Sequence, residues 1–333
     1  MAEDLKFSLE GHILKEFTIG PNDAGQRLDR WIAKTLPLLP APLAQKYIRL
    51  KRVKVNGKGS KRDVRLQKGD VLQLYINDEF FEKPTRENAF LSVFKPQLDI
   101  LYEDKDIMLL NKRPGMVVHP DDQERVNTLI THVQAYLYQK KEWSPYWENS
   151  FAPALCNRID RNTGGIVIAA KTAEALRVMN QKVRDRELQK LYLCVVHGTM
   201  KPREGQLKGY ILKDEDKAQV KVFDRPIPGG KTAVTLYKTL EARNGLSLME
   251  CDLITGRTHQ IRAQFAAAGH PLLGDGKYGR ERDGKRFDRK FQALYSYKLR
   301  FAFTTDAGCL EHLNGREWTV ENVDFVAEYF PKE

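Results

Sequence analysis

Asp160 stands between two arginines in the stretch NRIDRNTGG, residues 157–165, and a Thr-Gly-Gly turn signal follows it at once. Nearby cations favour the charged form of a carboxylate, and glycines let the backbone bend sharply where other residues resist. The plainest reading of such a string is a surface loop whose Arg–Asp pair is worth at most about 1 kcal/mol. The setting argues for more. FAPALC precedes the loop and IVIAAKT follows it, the second being a short β-branched run of the kind that makes a buried strand. An acid beside a core strand is well placed to act as a nucleophile or a general base, and the loop itself leaves both open.

Further stretches carry groups that could join it. In LQKLYLCVVHG, Lys190 and Tyr192 lie on a strand just behind the charge cluster RDRE. In DLITGRTHQIRAQFAAAGHPLLGDGKYG, a strand and a Gly turn lead into a helix beginning near Thr258 and ending at Gly269, with Arg257 and Arg262 on it. IPGGKTAVTLY looks like a phosphate loop, but the first glycine of G-x-x-x-x-G-K-T would fall at Arg225, so no nucleotide site is expected. His259 and His270 invite a metal or general-base reading, yet a single helical histidine is more often a satisfied structural donor. The four cysteines lie far apart with no C-x-x-C, which suits reduced thiols and argues against a zinc site.

The elements that must position these residues belong to a chain of 333 residues, long enough for two domains. No apolar run approaches the roughly 18 residues of a membrane span, and the N-terminus has neither the basic nor the apolar region of a secretory signal. A soluble, cytoplasmic protein is expected. A net charge of +11 makes a polyanion a plausible partner. Between Asn22 and Tyr75, thirteen lysines and arginines face four acids, so a net +9 of that charge sits in under a fifth of the chain.

That basic region opens with AGQRLDRWIAKTL, where Leu28, Trp31, Ile32 and Leu36 have helical spacing. A second helix, LAQKYIRLKR, carries Lys46, Arg49, Lys51 and Arg52, followed by VKVNGK, a strand ending in an Asn-Gly hairpin signal, and by the strand of KGDVLQLYI. This order and the motif pieces R-L-D, V-K-V-N-G and G-D-V-L resemble the S4 RNA-binding domain over residues 22–80. Two departures stand out: Lys51 takes the place of a usual glycine, and the Ser-Arg-Ser that often opens the second helix is missing. The resemblance implies that Arg27, Lys46, Arg49, Lys51, Arg52 and Lys54 contact RNA, phosphate contacts fixing position without reading sequence. Residues 81–98, with prolines, charges and scattered apolar positions, read as a linker. From 99 to 333 the pattern mixes strands and helices without regular alternation, so the expected class is α+β: a small N-terminal domain before a large, mixed, mostly antiparallel sheet. Within it LDILYEDKDIMLLNKRPGMVVHP reads as two strands and a Pro-Gly turn into a third, and the segment after Thr305 as a hairpin and a closing helix.

NRIDRNTGG, KLY, TGRTHQIR and GHPLLGDGKYG, together with NKRPGMVVHP, resemble the RluA-type pseudouridine synthases in order and spacing over about residues 99–305. Departures are Asn157 for the loop histidine, Gly164 for its serine, Arg113 within the usual Lys-Pro-x-Gly, and LYSYKL where Leu-His-Ala is usual. The resemblance implies isomerisation of uridine to pseudouridine, with Asp160 as the catalytic aspartate. The N1–C1′ bond breaks, the uracil turns and C5 joins C1′. Asp160 could attack the sugar or the base, or stabilise a cationic or glycal-like intermediate. Arg262 is expected to pair with Asp160. Tyr192 is implied to stack on the uracil and to be placed to take the C5 proton, and Arg158 to fill the space left by a flipped base. Arg161, Lys190 and Arg257 are RNA-contact candidates, the first two equally readable as members of salt bridges, and Lys112 is a structural partner of the loop. No cofactor or metal is implied. Structured RNA is the expected partner, large-subunit ribosomal RNA first and tRNA second, bound by a monomer. The rival readings are a non-catalytic RNA-binding or ribosome-assembly factor and a basic DNA-binding protein.

Overall fold

The computed structural model describes residues 6–7, 13–20, 23–82, 88–121, 123–145, 151–214, 219–279, 287 and 289–331. The chain divides into two compact units, one made of residues 1–97 and 119–147, the other of 98–118 and 148–333. Among the described residues no helix is long and apolar enough to cross a membrane.

In the first unit, α1 (Leu28–Thr35) buries Leu28, Trp31 and Ile32, the face that their spacing predicts. Helix α2 (Ala41–Arg49) has a proline in its first turn, where a missing N–H costs nothing, and buries Ala44, Tyr47 and Ile48. Strands β1 (Lys6–Phe7), β2 (Ile13–Thr18), β3 (Val53–Val55), β4 (Lys58–Gly59) and β5 (Val71–Ile76) lie in the order β1-β2-β5-β3-β4. The Asn-Gly signal forms the β3–β4 turn, with positive φ at both Asn56 (51°) and Gly57 (75°), as a type I′ hairpin requires. Strand β2, which runs antiparallel to β5, places ordered structure ahead of the expected start at residue 22.

Residues 81–98 are not a free linker in their described part. Ala89, Phe90 and Leu91 are buried, and Phe90 meets Tyr138 and Trp143 edge-on at 5.0 and 5.2 Å. Tyr138 belongs to α3 (Leu129–Gln139), capped by the Thr128 side chain, whose buried Ile130, Val133 and Leu137 need an apolar partner. Gln139 Nε2 donates to the carbonyls of Val93 and Phe94. That packing draws 119–147 into the first unit, although the sequence placed it in the 99–333 body.

The second unit carries β6 (Ile100–Glu103), β7 (Ile107–Lys112), β8 (Ala154–Leu155), β9 (Gly164–Ala170), β10 (Leu188–His197), β11 (Glu204–Asp214), β12 (Gln219–Phe223), β13 (Lys231–Arg243), β14 (Leu246–Leu253), β15 (Leu294–Phe301) and β16 (Glu317–Thr319). They form one mixed sheet in the order β12-β11-β13-β14-β10-β15-β9-β7-β6, with β16 on β15 and β8 on β9. The described pairings are antiparallel except β15 with β9. Helices α4 (Ala173–Arg184), α5 (Gln260–Ala267) and α6 (Asp324–Tyr329) complete the unit.

Alternate residues of β10 enter two different cores. Leu193 and Val195 pack with β9 and α4, while Tyr192, Cys194 and Val196 pack with Ile261 and Phe265 of α5. Side chains of a strand alternate between faces, so a strand covered on both sides is apolar throughout, which is why LYLCVV shows no polar alternation. The Pro-Gly turn at residues 114–115 leads into irregular chain instead of a third strand. Near the C-terminus β16 pairs with β15 instead of forming its own hairpin.

Candidate active site

The NRIDRNTGG loop leads straight into β9, and its two glycines explain how. A Cβ at Gly165 (φ +114°) would lie 2.2 Å from the Ser296 carbonyl oxygen, and one at Gly164 would lie 2.3 Å from the Tyr295 ring. Only glycine lets β9 begin this close to β15. Within the loop, Thr163 N–H donates to the Asp160 carbonyl at 3.1 Å, and Asn157 accepts from Ile168 N–H at 2.8 Å through its side-chain oxygen. The asparagine in place of a histidine thus ties the loop to the strand that follows it.

Helix α5 is seated by its own glutamines. Gln260 donates to Val234 O and Thr235 Oγ1 and accepts from Thr255 Oγ1 and the Arg257 N–H, while Gln264 donates to Leu207 and Ala233 carbonyls. These bonds fix the helix on β11 and β13, and Arg262 projects from it towards the loop. Its Nη1 donates to Asp160 Oδ2 at 2.7 Å, as the sequence predicted. Its Nε and Nη2 form a bidentate pair with Asp275 at 2.7 and 2.9 Å. Burial works against the charge of Arg262, but the two carboxylates outweigh it and hold the guanidinium more firmly protonated. Burial alone would raise the Asp275 carboxyl; Arg262 and the backbone N–H groups of Lys277 and Tyr278 prevail and keep it below the usual carboxylate range.

His259, just ahead of α5, takes the left-handed conformation (φ 51°, ψ 24°). Its Nε2 lies 3.8 Å from Asp160 Oδ2, and its Nδ1 lies 2.9 Å from the Tyr278 hydroxyl. Burial pushes this imidazole below its ordinary value, against the pull of Asp160. The Tyr278 ring also lies under the Arg262 guanidinium, 5.3 Å away. Asp275, Tyr278 and the placement of His259 were not assigned from sequence. The signal was present in GHPLLGDGKYG, where the aspartate and tyrosine are spaced to bracket a turn.

Tyr192 is buried on β10 among Ile159, Ile261 and Phe265. Burial pushes its phenol up to about 12, with Ser296 opposing and Asp160 adding to the rise. Lys112 is 1% exposed, and its Nζ donates to the carbonyls of Arg113, Met116 and Arg161. Arg161 therefore meets Lys112 through its backbone. Burial brings the Lys112 ammonium down to about 7, with Asp160 pulling it back up.

Arg158 is exposed. Arg257 is exposed too, its Nε on the Thr232 carbonyl at 3.0 Å. Burial lowers Lys190, with Asp252 as the opposing charge. In the first unit Lys46, Arg49 and Lys51 are exposed. Arg52 and Lys54 are half-buried and lie over the Tyr47 and Tyr75 rings at 5.6 and 4.9 Å. Arg27 is held by Asp29, with its two bonds at 3.1 and 2.6 Å. Among the described residues no group of three histidines, cysteines or acids could hold a metal ion.

A family model described as RNA pseudouridylate synthase matches residues 106–267. An uncharacterized RNA pseudouridine synthase of Mycoplasma genitalium is 31% identical over 296 residues, covering 87% of this chain and 90% of the relative. Ribosomal large subunit pseudouridine synthase D of Neisseria meningitidis serogroup A is 32% identical over 289 residues, 84% of this chain and 72% of the relative. Among solved structures, human RNA pseudouridylate synthase domain containing 4 aligns with a TM-score of 0.52 at 21% identity, over 68% of this chain and 89% of its own. That likeness is one of fold.

Proposed function

This chain belongs to the RluA-type RNA pseudouridine synthases, enzymes that isomerise uridine in RNA, and on that premise we propose that Asp160 is its catalytic aspartate and large-subunit ribosomal RNA its substrate. The observation that carries the site is the 2.7 Å bond between Arg262 Nη1 and Asp160 Oδ2, which joins residues 102 positions apart. Among the described residues, the contacts of the Asp160 carboxylate with Arg262 and His259 both fall on Oδ2. Oδ1 is thus the oxygen available to the substrate.

The reaction is an isomerisation with no net gain or loss of atoms. The N1–C1′ bond breaks with its electron pair going to the uracil, the base turns, C5 bonds to C1′, the C5 proton leaves to solvent and N1 takes up a proton. An ionised Asp160 serves as the attacking or charge-stabilising group. Tyr192, buried beside the loop with its phenol pushed up to about 12, is proposed to stack on the uracil and to stand where the C5 proton leaves. Arg158, exposed on the loop, is available to fill the stack once the target uridine flips out. Residues 22–80 are proposed to be an S4-type domain that docks the enzyme through Lys46, Arg49, Lys51, Arg52 and Lys54. Large-subunit RNA is favoured because the Neisseria relative carries that substrate in its name.

Tritium release from unmodified large-subunit ribosomal RNA labelled at uracil C5 tests the reading, since forming the C5–C1′ bond expels that hydrogen. Release by the wild type and none by Asp160→Ala is the expected result. Release by both proteins would overturn the site. Release from labelled tRNA alone would move the substrate.

A further inference from the structure

The His259–Tyr278 pair beside Asp160 has a complete donor account. Val220 N–H donates to the Tyr278 hydroxyl at 2.8 Å. The hydroxyl, 2.9 Å from His259 Nδ1, has its own proton to give. With that proton on the Nδ1 side, the ring's hydrogen sits on Nε2, which faces a carboxylate oxygen 3.8 Å away. The opposite tautomer would set a lone pair against that oxygen, so electrostatics select the first. Each imidazole nitrogen is set by what the other one meets.

We propose that His259 is a positioning residue for the isomerisation: its Nε2–H is a second donor to the Asp160 oxygen already held by Arg262, and Tyr278 fixes the tautomer that makes it one. The inference rests on Asp160 being the catalytic aspartate. With two donors on Oδ2 the carboxylate has one rotamer, and Oδ1 is presented to the substrate. The 3.8 Å separation lies beyond a hydrogen bond, and a closure of about 1 Å makes it one, the kind of tightening that accompanies substrate binding.

Two independent features support this role. His259 holds a left-handed backbone that residues with a Cβ seldom adopt, and such strain clusters at functional sites. The charged groups that act on the ring are Asp160, Arg262, Asp275 and Lys277, and with burial they leave it neutral near pH 7. A neutral ring donates to Asp160 through Nε2–H without adding another full positive charge beside Arg262.

The test is single-turnover tritium release from C5-labelled large-subunit ribosomal RNA, read beside RNA affinity and thermal melting. His259→Asn suits the left-handed backbone and still reaches Tyr278, but its amide stops short of Asp160. It should melt and bind RNA like the wild type while the rate falls by about ten- to hundredfold, the scale set by a misplaced catalytic group. His259→Gln places an N–H where Nε2 was and should recover most of the loss. Wild-type turnover by His259→Asn would overturn the role, because a purely structural histidine is replaced by that variant. Should His259→Gln fold poorly, Tyr278→Phe decides: it keeps the ring beneath Arg262 and removes the hydroxyl, and an unchanged rate would sink the proposal. Failure of the underlying reading has a different mark, namely an inactive wild type or an active Asp160→Ala.

Discussion

Asp275 grips Arg262 with two hydrogen bonds, at 2.7 and 2.9 Å, and so fixes the guanidinium whose remaining arm meets Asp160. The Asp275 side chain is fully buried and that of Arg262 is 6% exposed. Breaking one partner of a buried pair leaves a charge uncompensated. Asp275→Asn keeps the turn, since its oxygen still accepts from Lys277 and Tyr278, but gives up the ionic grip. A stability loss of about 3 kcal/mol is expected by denaturant unfolding, with single-turnover release down by about 100-fold. A variant as stable and active as the wild type would show that Asp160 alone orients Arg262.

Two departures from the family pattern compensate each other. Gly164 stands where the family has serine, and Tyr295 stands where it has histidine. A Cβ at Gly164 would meet the Tyr295 ring at 2.3 Å, and the Tyr295 hydroxyl donates to Asn111 Oδ1 at 2.6 Å. The larger ring occupies the space a loop side chain would take. Gly164→Ser alone should cost about 1–3 kcal/mol through overpacking. Combined with Tyr295→His it should recover part of that, giving a coupling of about 1–2 kcal/mol in a double-mutant cycle. Additive effects would mean that the two positions changed independently.

Local signals made much of this legible. The Asn-Gly turn, the apolar faces of α1 and α2, and the buried run of β9 each follow from residues within ten positions of one another. The Asp160–Arg262 pair was reachable because each lies in a motif with its own spacing. Asp275 and His259 were not, because what makes them site residues is a turn and a left-handed backbone that bring them to Arg262 and Asp160. Strand β2 lies ahead of the expected domain start because its HILKEFTI pattern mixes charges into the strand. Phe90 looked like a scattered apolar residue in a linker, since its partners Tyr138 and Trp143 lie some fifty positions away. Packing between distant segments decided each case.

Lys112 gives the Asp160 loop a pH signature. Its folded-state value, about 7, lies below that of an exposed lysine, so the folded protein sheds this proton first as pH rises. Between pH 7 and about 10.4 the unfolded chain binds more protons at this site, and stability therefore rises with pH. Lys112→Met should cost about 2–4 kcal/mol at pH 7, because three carbonyls lose a donor. Across pH 7 to 9 the wild type should gain on the variant by up to about 1.4 kcal/mol per pH unit. Parallel stability curves for the two proteins over that range would contradict a buried, titrating Lys112.

Lys51 allows the basic face to be tested without disturbing its fold. It takes the position where S4 domains usually have glycine, and it adopts the conformation glycine would, with φ at 57°. Its side chain lies across Gly59, where a Cβ would come within 2.9 Å of Lys51 Cγ. Lys51→Gly therefore relieves backbone strain while removing a cation. Melting should hold or rise, whereas RNA affinity should fall and the slope of log affinity against log salt should drop by about 0.7–0.9, the loss of one phosphate contact. Arg49→Ala, an exposed neighbour, should behave alike. Arg27→Ala should leave the slope unchanged, because Asp29 already holds that guanidinium with two bonds. If Arg27→Ala flattened the slope and Lys51→Gly did not, the RNA would lie along the start of α1, and the end of α2 would be a solvated face.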